Sequence, residues 1–162
     1  GLLTQDAVIA FQIKHRITID GIVGAQTAEK LGVAAPSGKT SGGGAHDKDV
    51  YLLARLVHGE ARGEPYKGMV AVAAVVLNRV ESSLFPNSMA KVIYQSGAFS
   101  VVNDGQINLA PDANSLNAAR DALNGWDPSG GSLFYYNPAK TSNQYIRSRP
   151  QVCVIGGHIF CK

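Results

Sequence analysis

The stretch from Tyr66 to Ser82, with its run GMVAVAAVVLNRV, is apolar almost all the way round a helix. Such a helix offers water no face, so it has to lie in the middle of a domain with other elements packed on every side. Its longest apolar run, Met69 to Leu77, falls far short of the roughly 20 residues that a bilayer span requires. Its surroundings must therefore be protein, and no membrane span is expected. At 162 residues and 45% apolar, the chain has material for one such domain and a small module beside it.

The segment just before it, Asp47 to Glu64, reads DKDVYLLARLVHGEARGE. Val50, Leu53, Leu56 and Val57 recur at three and four residues and share one helix face. Asp47 is the expected N-cap, Asp49 suits the positive end of the helix dipole, and Pro65 stops the helix or sits just beyond it. Glu60 and Glu64, four residues apart, are then expected on one side of the helix end. A glutamate that follows a glycine on a half-buried helix has the core on one side and a ligand on the other. That setting raises a carboxyl pKa by desolvation and suits a general acid. Taken alone, a segment of this kind more often carries solvated charges, here paired with Arg62 or Lys67.

The remaining elements read in order. Val8, Phe11 and Gln12 lie in an apolar helix, Asp20-Gly21 and Gly24 are turn residues, and Thr27 to Leu31 opens a second helix. Ala34 to Ala45, AAPSGKTSGGGA, is a flexible tether, spanning on the order of 17 Å as a coil. Asn78 and Arg79 read as the C-terminal cap of the apolar helix in preference to substrate ligands. Asn87 is expected to cap a short helix to about Tyr94. Gln95 to Ile107 is too rich in Gly, Ser, Asn and Asp for a regular element, with Phe99 either a wall for a sugar ring or a plug on the core. Pro111 and Asp112 open a helix that Gly125 ends. Ser132 to Tyr136 is a strand, stopped by Asn137-Pro138.

The chain closes on QVCVIGGHIFCK. A two-residue turn at Gly156-Gly157 pairs Ile155 with His158, Val154 with Ile159 and Cys153 with Phe160, which puts Cys153 and Cys161 on opposite faces as free thiols. A three-residue loop would pair them instead. The fold expected is α+β: a mainly helical domain with a small antiparallel sheet or hairpin. Net charge is +3 and the basic residues are dispersed, which favours anionic polymers but gives no nucleic-acid signature.

Two resemblances add to this reading. Phe11, Gln12, Asp20, Gly21, Gly24, Thr27 and Leu31 match the end of the helical peptidoglycan-binding module found beside many wall hydrolases. From Tyr51 to Lys162 the chain resembles the SleB/CwlJ family of cell-wall hydrolases, through ARLVHGEARGEPYKGMVAVAAVVLNRV, the loop Ala98 to Gly105, FYYNP at Phe134 to Pro138 and IGGHIF at Ile155 to Phe160. The family loop often carries Gln-Phe-Ser where this chain has Ala98-Phe99-Ser100, and Cys161 stands where an aromatic is common. The implied division is a truncated binding module at 1–33, a Gly/Ser-rich linker at 34–46 and a catalytic domain at 47–162. The chain opens inside a helical pattern with no leader of cationic then apolar residues, so a trimmed N-terminus is expected.

The resemblance implies cleavage of the glycan backbone of spore cortex peptidoglycan during germination, by lytic transglycosylation beside muramic-δ-lactam, in the spore envelope. Glu60 is then the acid and base, and Glu64 a supporting carboxylate that keeps it protonated by like-charge repulsion. Phe99, Asp104, Tyr136, Asn137 and His158 are the expected substrate contacts. The expected partners are cortex peptidoglycan and a regulatory spore protein, with the chain a monomer. No cofactor is expected, and His15, His46, His58 and His158 lack the spacing of a metal site. Two other readings stand beside this one: a hydrolytic muramidase or glucosaminidase with Glu64 or Asp104 as second carboxylate, and a non-catalytic wall-binding protein. A peptidase lacks a nucleophile with a paired base.

Overall fold

A computed structural model describes residues 2–15, 17, 25–32 and 43–162. Its helices are α1 (Leu2–His15), α2 (Ala25–Leu31), α3 (Gly43–Ala61), α4 (Tyr66–Glu81), α5 (Met89–Ile93), α6 (Ser100–Asn103), α7 (Ala113–Leu123) and α8 (Gln144–Arg147). The strands are β1 (Phe134–Tyr136), β2 (Gln151–Ile155) and β3 (His158–Cys161), and a 3₁₀ turn covers Gln106–Asn108. They form a three-stranded antiparallel sheet in the order β1-β3-β2. The expected α+β architecture, mainly helical with a small sheet, is what is found.

Helix α4 is the centre, as its composition requires. Every residue from Gly68 to Val76 is buried, and α3, α5, α7 and β1 all pack against it. Leu53, Leu56 and Val57 of α3 and Leu116 of α7 are fully enclosed, so the face read from the three-and-four spacing is the packed one. Asp112 caps α7 by accepting from the Ser115 N–H at 2.8 Å, and Gly125 follows with φ at 105°, as the turn chemistry predicts.

At the front of the chain, Gln12 Nε2 donates to Thr27 Oγ1 at 2.9 Å across α1 and α2. Ile9 is buried in the main core, and α1 meets α7. The turn residues Asp20, Gly21 and Gly24 and the tether residues up to position 42 lie outside the described residues. Helix α3 starts at Gly43 rather than at Asp47, because adding a turn to an existing helix needs no new nucleus. Asp47 therefore sits inside the helix and is not its N-cap.

Three smaller expectations shift, and the expected hairpin register holds. Ser88, not Asn87, caps α5, accepting from the Lys91 N–H. The loop after Gln95 contains a short helix, α6, as well as the 3₁₀ turn. Asn78 and Arg79 do not cap α4: Asn78 Nδ2 donates to Asp127 Oδ2 and to the Ser132 carbonyl, and Arg79 Nε donates to the Leu133 carbonyl at 2.7 Å. Both hold the strand-bearing segment onto the central helix. The terminal hairpin has the register set by a two-residue turn, Ile155 with His158, Val154 with Ile159 and Cys153 with Phe160, and both cysteines are free.

Asp127 organises the approach to β1. Beyond Asn78, it accepts from the Ser129 N–H and hydroxyl and from the Gly131 N–H. Partial burial pushes its pKa up, but these bonds outweigh burial and leave it below the ordinary value. A depressed carboxyl pKa stabilises the fold above the unfolded value of about 3.9 and loses that contribution as pH falls through the folded value. Asp127→Asn should therefore be less stable than the parent at neutral pH, and the gap should close as pH drops below about 4. Urea midpoints at both pH values check this; a gap independent of pH would contradict it.

Candidate active site

One cleft of about 1000 Å³ runs between the C-terminal end of α3, the loop carrying α6, and the sheet. Glu60 lies in it because α3 carries the carboxyl to the end of its buried face, and Gly59 lets the next element come close. A Cβ on Gly59 would stand 2.9 Å from Val101 Cγ1, so any larger residue would push α6 away from the carboxyl.

Tyr135, in the middle of β1, donates its hydroxyl to Glu60 Oε2 at 2.9 Å. Glu60 Oε1 is buried with no hydrogen-bond partner. Burial raises the Glu60 pKa; the Tyr135 hydroxyl and then the nearby Val101 amide oppose it, the charge of Asp104 adds to it, and that of Lys140 subtracts. The amide favours the charged form by proximity, without a bond of good geometry to Oε1. Desolvation wins, and the acid form is favoured more than in an exposed glutamate. Burial, then the charge of Glu60 and the hydrogen bond to it, raise the Tyr135 pKa well above the ordinary tyrosine value, so the phenol stays a donor.

Glu64 has a different place from the one the spacing suggests. Helix α3 ends at Ala61, and the carboxylate turns to the hairpin, where Oε2 accepts from the Gly157 N–H at 2.8 Å. Its charge is not among the causes that shift Glu60; the repelling carboxylate there is Asp104. The helical spacing failed because Gly63 and Pro65 end the helix before the fourth residue is reached. Glu64 is a clamp on the turn. A Cβ at Gly157 would come 2.9 Å from Glu64 Oε1, and one at Gly156 would collide with Oε2 and with Pro65.

His158, just after that turn, is buried. Its Nδ1 is 3.9 Å from Glu64 Oε1 and has no hydrogen-bond partner. Burial lowers its pKa, more than Glu64 raises it, which favours the neutral ring. It meets the Tyr135 ring edge-on with centroids 5.0 Å apart, which connects the clamp to the hydroxyl on Glu60.

Tyr136, Asn137, Phe99 and His158 all line the cleft. Phe99 is buried in the main core and is therefore chiefly the plug of the two readings. Asp104 is a correction: it is not part of the lining, and it accepts from the Gln106 N–H and side chain. These bonds, the backbone one first, hold its pKa below the ordinary value. Arg62 donates to Gln106 on the same rim at 2.9 Å. Among the described residues, no group of three His, Cys, Asp or Glu is arranged to hold a metal ion, and no helix is long and apolar enough to cross a membrane.

Sequence reasoning missed Tyr135 and undervalued Arg79. The signal for Tyr135 was there: in a three-residue strand, period two turns the middle side chain opposite to its neighbours. Arg79 stood out as the one charged residue on the inner part of an apolar helix.

Residues 63–161 match the model of the Cell Wall Hydrolase family, and residues 1–31 match a peptidoglycan binding domain. A spore cortex-lytic enzyme of Bacillus cereus is 42% identical over 188 residues, covering 98% of this chain and 73% of the relative. The chain therefore belongs to the cell wall hydrolase family. Within that family it is similar to SleB. The crystal structure of the Bacillus cereus SleB catalytic domain matches with a TM-score of 0.69 at 50% identity, over 78% of this chain and 100% of that one. The catalytic domain of the germination-specific lytic transglycosylase SleB from Bacillus anthracis matches with a TM-score of 0.68 at 48% identity, over 79% of this chain and 100% of that one.

Replacing Glu64 with alanine should remove a charge-assisted hydrogen bond of about 1.5 to 3 kcal/mol, whereas glutamine keeps an acceptor for Gly157 and should retain most of the stability. Urea unfolding of both variants checks the clamp. Equal losses would assign the effect to charge rather than to the bond.

Proposed function

We propose that this chain cuts the glycan backbone of spore cortex peptidoglycan during germination as a lytic transglycosylase, acting beside muramic-δ-lactam in the spore envelope. The observation that carries the reading is the isolation of Glu60. It is a desolvated carboxylic acid with a raised pKa, while the other cleft carboxylate, Glu64, is engaged with the hairpin turn. Similarity to a spore cortex-lytic enzyme of Bacillus cereus and to the germination-specific lytic transglycosylase SleB of Bacillus anthracis supports this substrate and reaction.

One carboxyl group is sufficient for this chemistry. Glu60 protonates the glycosidic oxygen as the bond to the anomeric carbon breaks. The muramic C6 hydroxyl then attacks the anomeric carbon and gives its proton to the Glu60 carboxylate, which closes a 1,6-anhydro ring and restores the acid. No water is consumed. Tyr135 holds the carboxyl in place and donates to it in its charged form, and Tyr136 and Asn137 bind the sugars on the cleft wall. The proposed division is a truncated binding module at 1–33, a linker at 34–46 whose last four residues already belong to α3, and a catalytic domain at 47–162.

Glu60→Gln should lower turnover about a hundredfold or more, the worth of acid catalysis, without loss of fold. For the parent, kcat/KM should decline as pH rises through the raised Glu60 pKa, because the acid form is the one that starts the reaction. In Tyr135→Phe the decline should move to higher pH, since a bond that favours the carboxylate is gone. Mass spectrometry of the released muropeptides separates the reactions: anhydro ends are expected, and products heavier by one water would make the enzyme a hydrolase.

A further inference from the structure

Arg79 is buried at the floor of the cleft, 7% exposed. Its guanidinium lies near three phenyl rings, 4.9 Å from the centroid of Phe85, 5.1 Å from Phe99 and 5.3 Å from Phe134. Nε is used by the Leu133 carbonyl. Among the described residues the two Nη groups make no hydrogen bond, and neither is a sealed buried atom. Arg79 itself lines the cleft. A planar fork with its Nε edge fixed and its terminal donors free fits a carboxylate in two-point contact.

The surrounding charge is mixed. Arg62 and Lys140 also line the cleft, and its carboxyl groups are Glu60, whose charge already acts on Arg79, and Glu64, which accepts from Gly157. Donors left unmade in a desolvated site weaken it, and a bound anion satisfies them.

We propose that Arg79 forms a subsite for a carboxylate carried by the substrate strand near the cut. This rests on the glycan-cleaving reading above. Two sources carry that chemistry in peptidoglycan: the stem peptide and the lactyl group of an unsubstituted muramic acid. The fork gives this substrate group a two-point contact that a lysine in its place cannot reproduce.

The test is kinetic, with purified cortex glycan in three forms: intact, stripped of stem peptides by an amidase, and with its carboxylates converted to amides. For the parent enzyme, amidation should lower kcat/KM about tenfold to a hundredfold, as expected for loss of a hydrogen bond to a charged group. Stripping should have the same effect if the stem peptide is the source and should raise kcat/KM if the lactyl group is, because each stem removed frees a lactyl carboxylate. Arg79→Lys should lose most of that preference, and Lys91→Gln, an exposed change outside the cleft, should keep it. An amidation that leaves the parent rate unchanged overturns the proposal, whether or not the Arg79 variant folds. So does a preference that vanishes in Lys91→Gln. The mass of the products, anhydro or one water heavier, reads the reaction type independently, so a hydrolytic outcome would revise the function without touching the subsite.

Discussion

A helix with no solvent face has to be surrounded, and the arrangement of this domain follows from surrounding α4. Helices α3 and α7 and the short α5 cover much of it, and the sheet reaches it through β1. Two polar groups near the end of α4 do what the apolar residues cannot. Asn78 and Arg79 fix the loop and strand that carry Tyr135, by bonds to Asp127, Ser132 and Leu133. The hydrophobic effect brings these elements together without fixing their orientation. The buried hydrogen bonds supply the direction, and the Tyr135 hydroxyl meets Glu60 as a result.

The electrostatics at Glu60 are a contest between burial and donors. Two or three good donors can hold a carboxylate's pKa very low, and full desolvation can raise it by several units. Here one hydroxyl reaches one oxygen and the other oxygen is buried without a partner, so burial prevails. A fully satisfied Glu60 would be a stable carboxylate and a poor acid. The unpartnered Oε1 is a polar defect of the kind found at functional sites.

Much of this was legible in the sequence, and the failures share a cause. Periodicity placed α3, α4 and α7, turn chemistry placed the hairpin and its free thiols, and the Gly59-Glu60 step marked the buried carboxyl. These are local features, fixed by residues a few positions apart. Glu64 was misplaced because its partner, Gly157, is 93 positions away, and helical spacing cannot foresee where a helix frays into a turn. Asp104 was misjudged for the reverse reason: its bonds are to Gln106, two residues on, and a loop that satisfies itself has little left for a ligand. Arg79 read as a helix cap because sequence shows its place in the helix but not the three phenyl rings around it, which come from separate segments.

The clamp at Glu64 explains why one charged group can matter to the site without touching the chemistry. The IGGH turn packs against Glu64 and Pro65: a side chain at Gly156 would collide with both, and one at Gly157 would displace the Glu64 carboxylate. That contact sets the height of β3, and β3 pairs directly with β1, Tyr135 opposite Phe160. His158 then abuts the Tyr135 ring. The hydroxyl on Glu60 is thereby positioned from two directions, from α4 through Arg79 and Leu133 and from the end of α3 through Glu64 and the hairpin. Glu60 and Glu64 leave the same helix end, one as the acid and the other as the support for the residue that orients it, which is why four positions of separation carry two unlike roles.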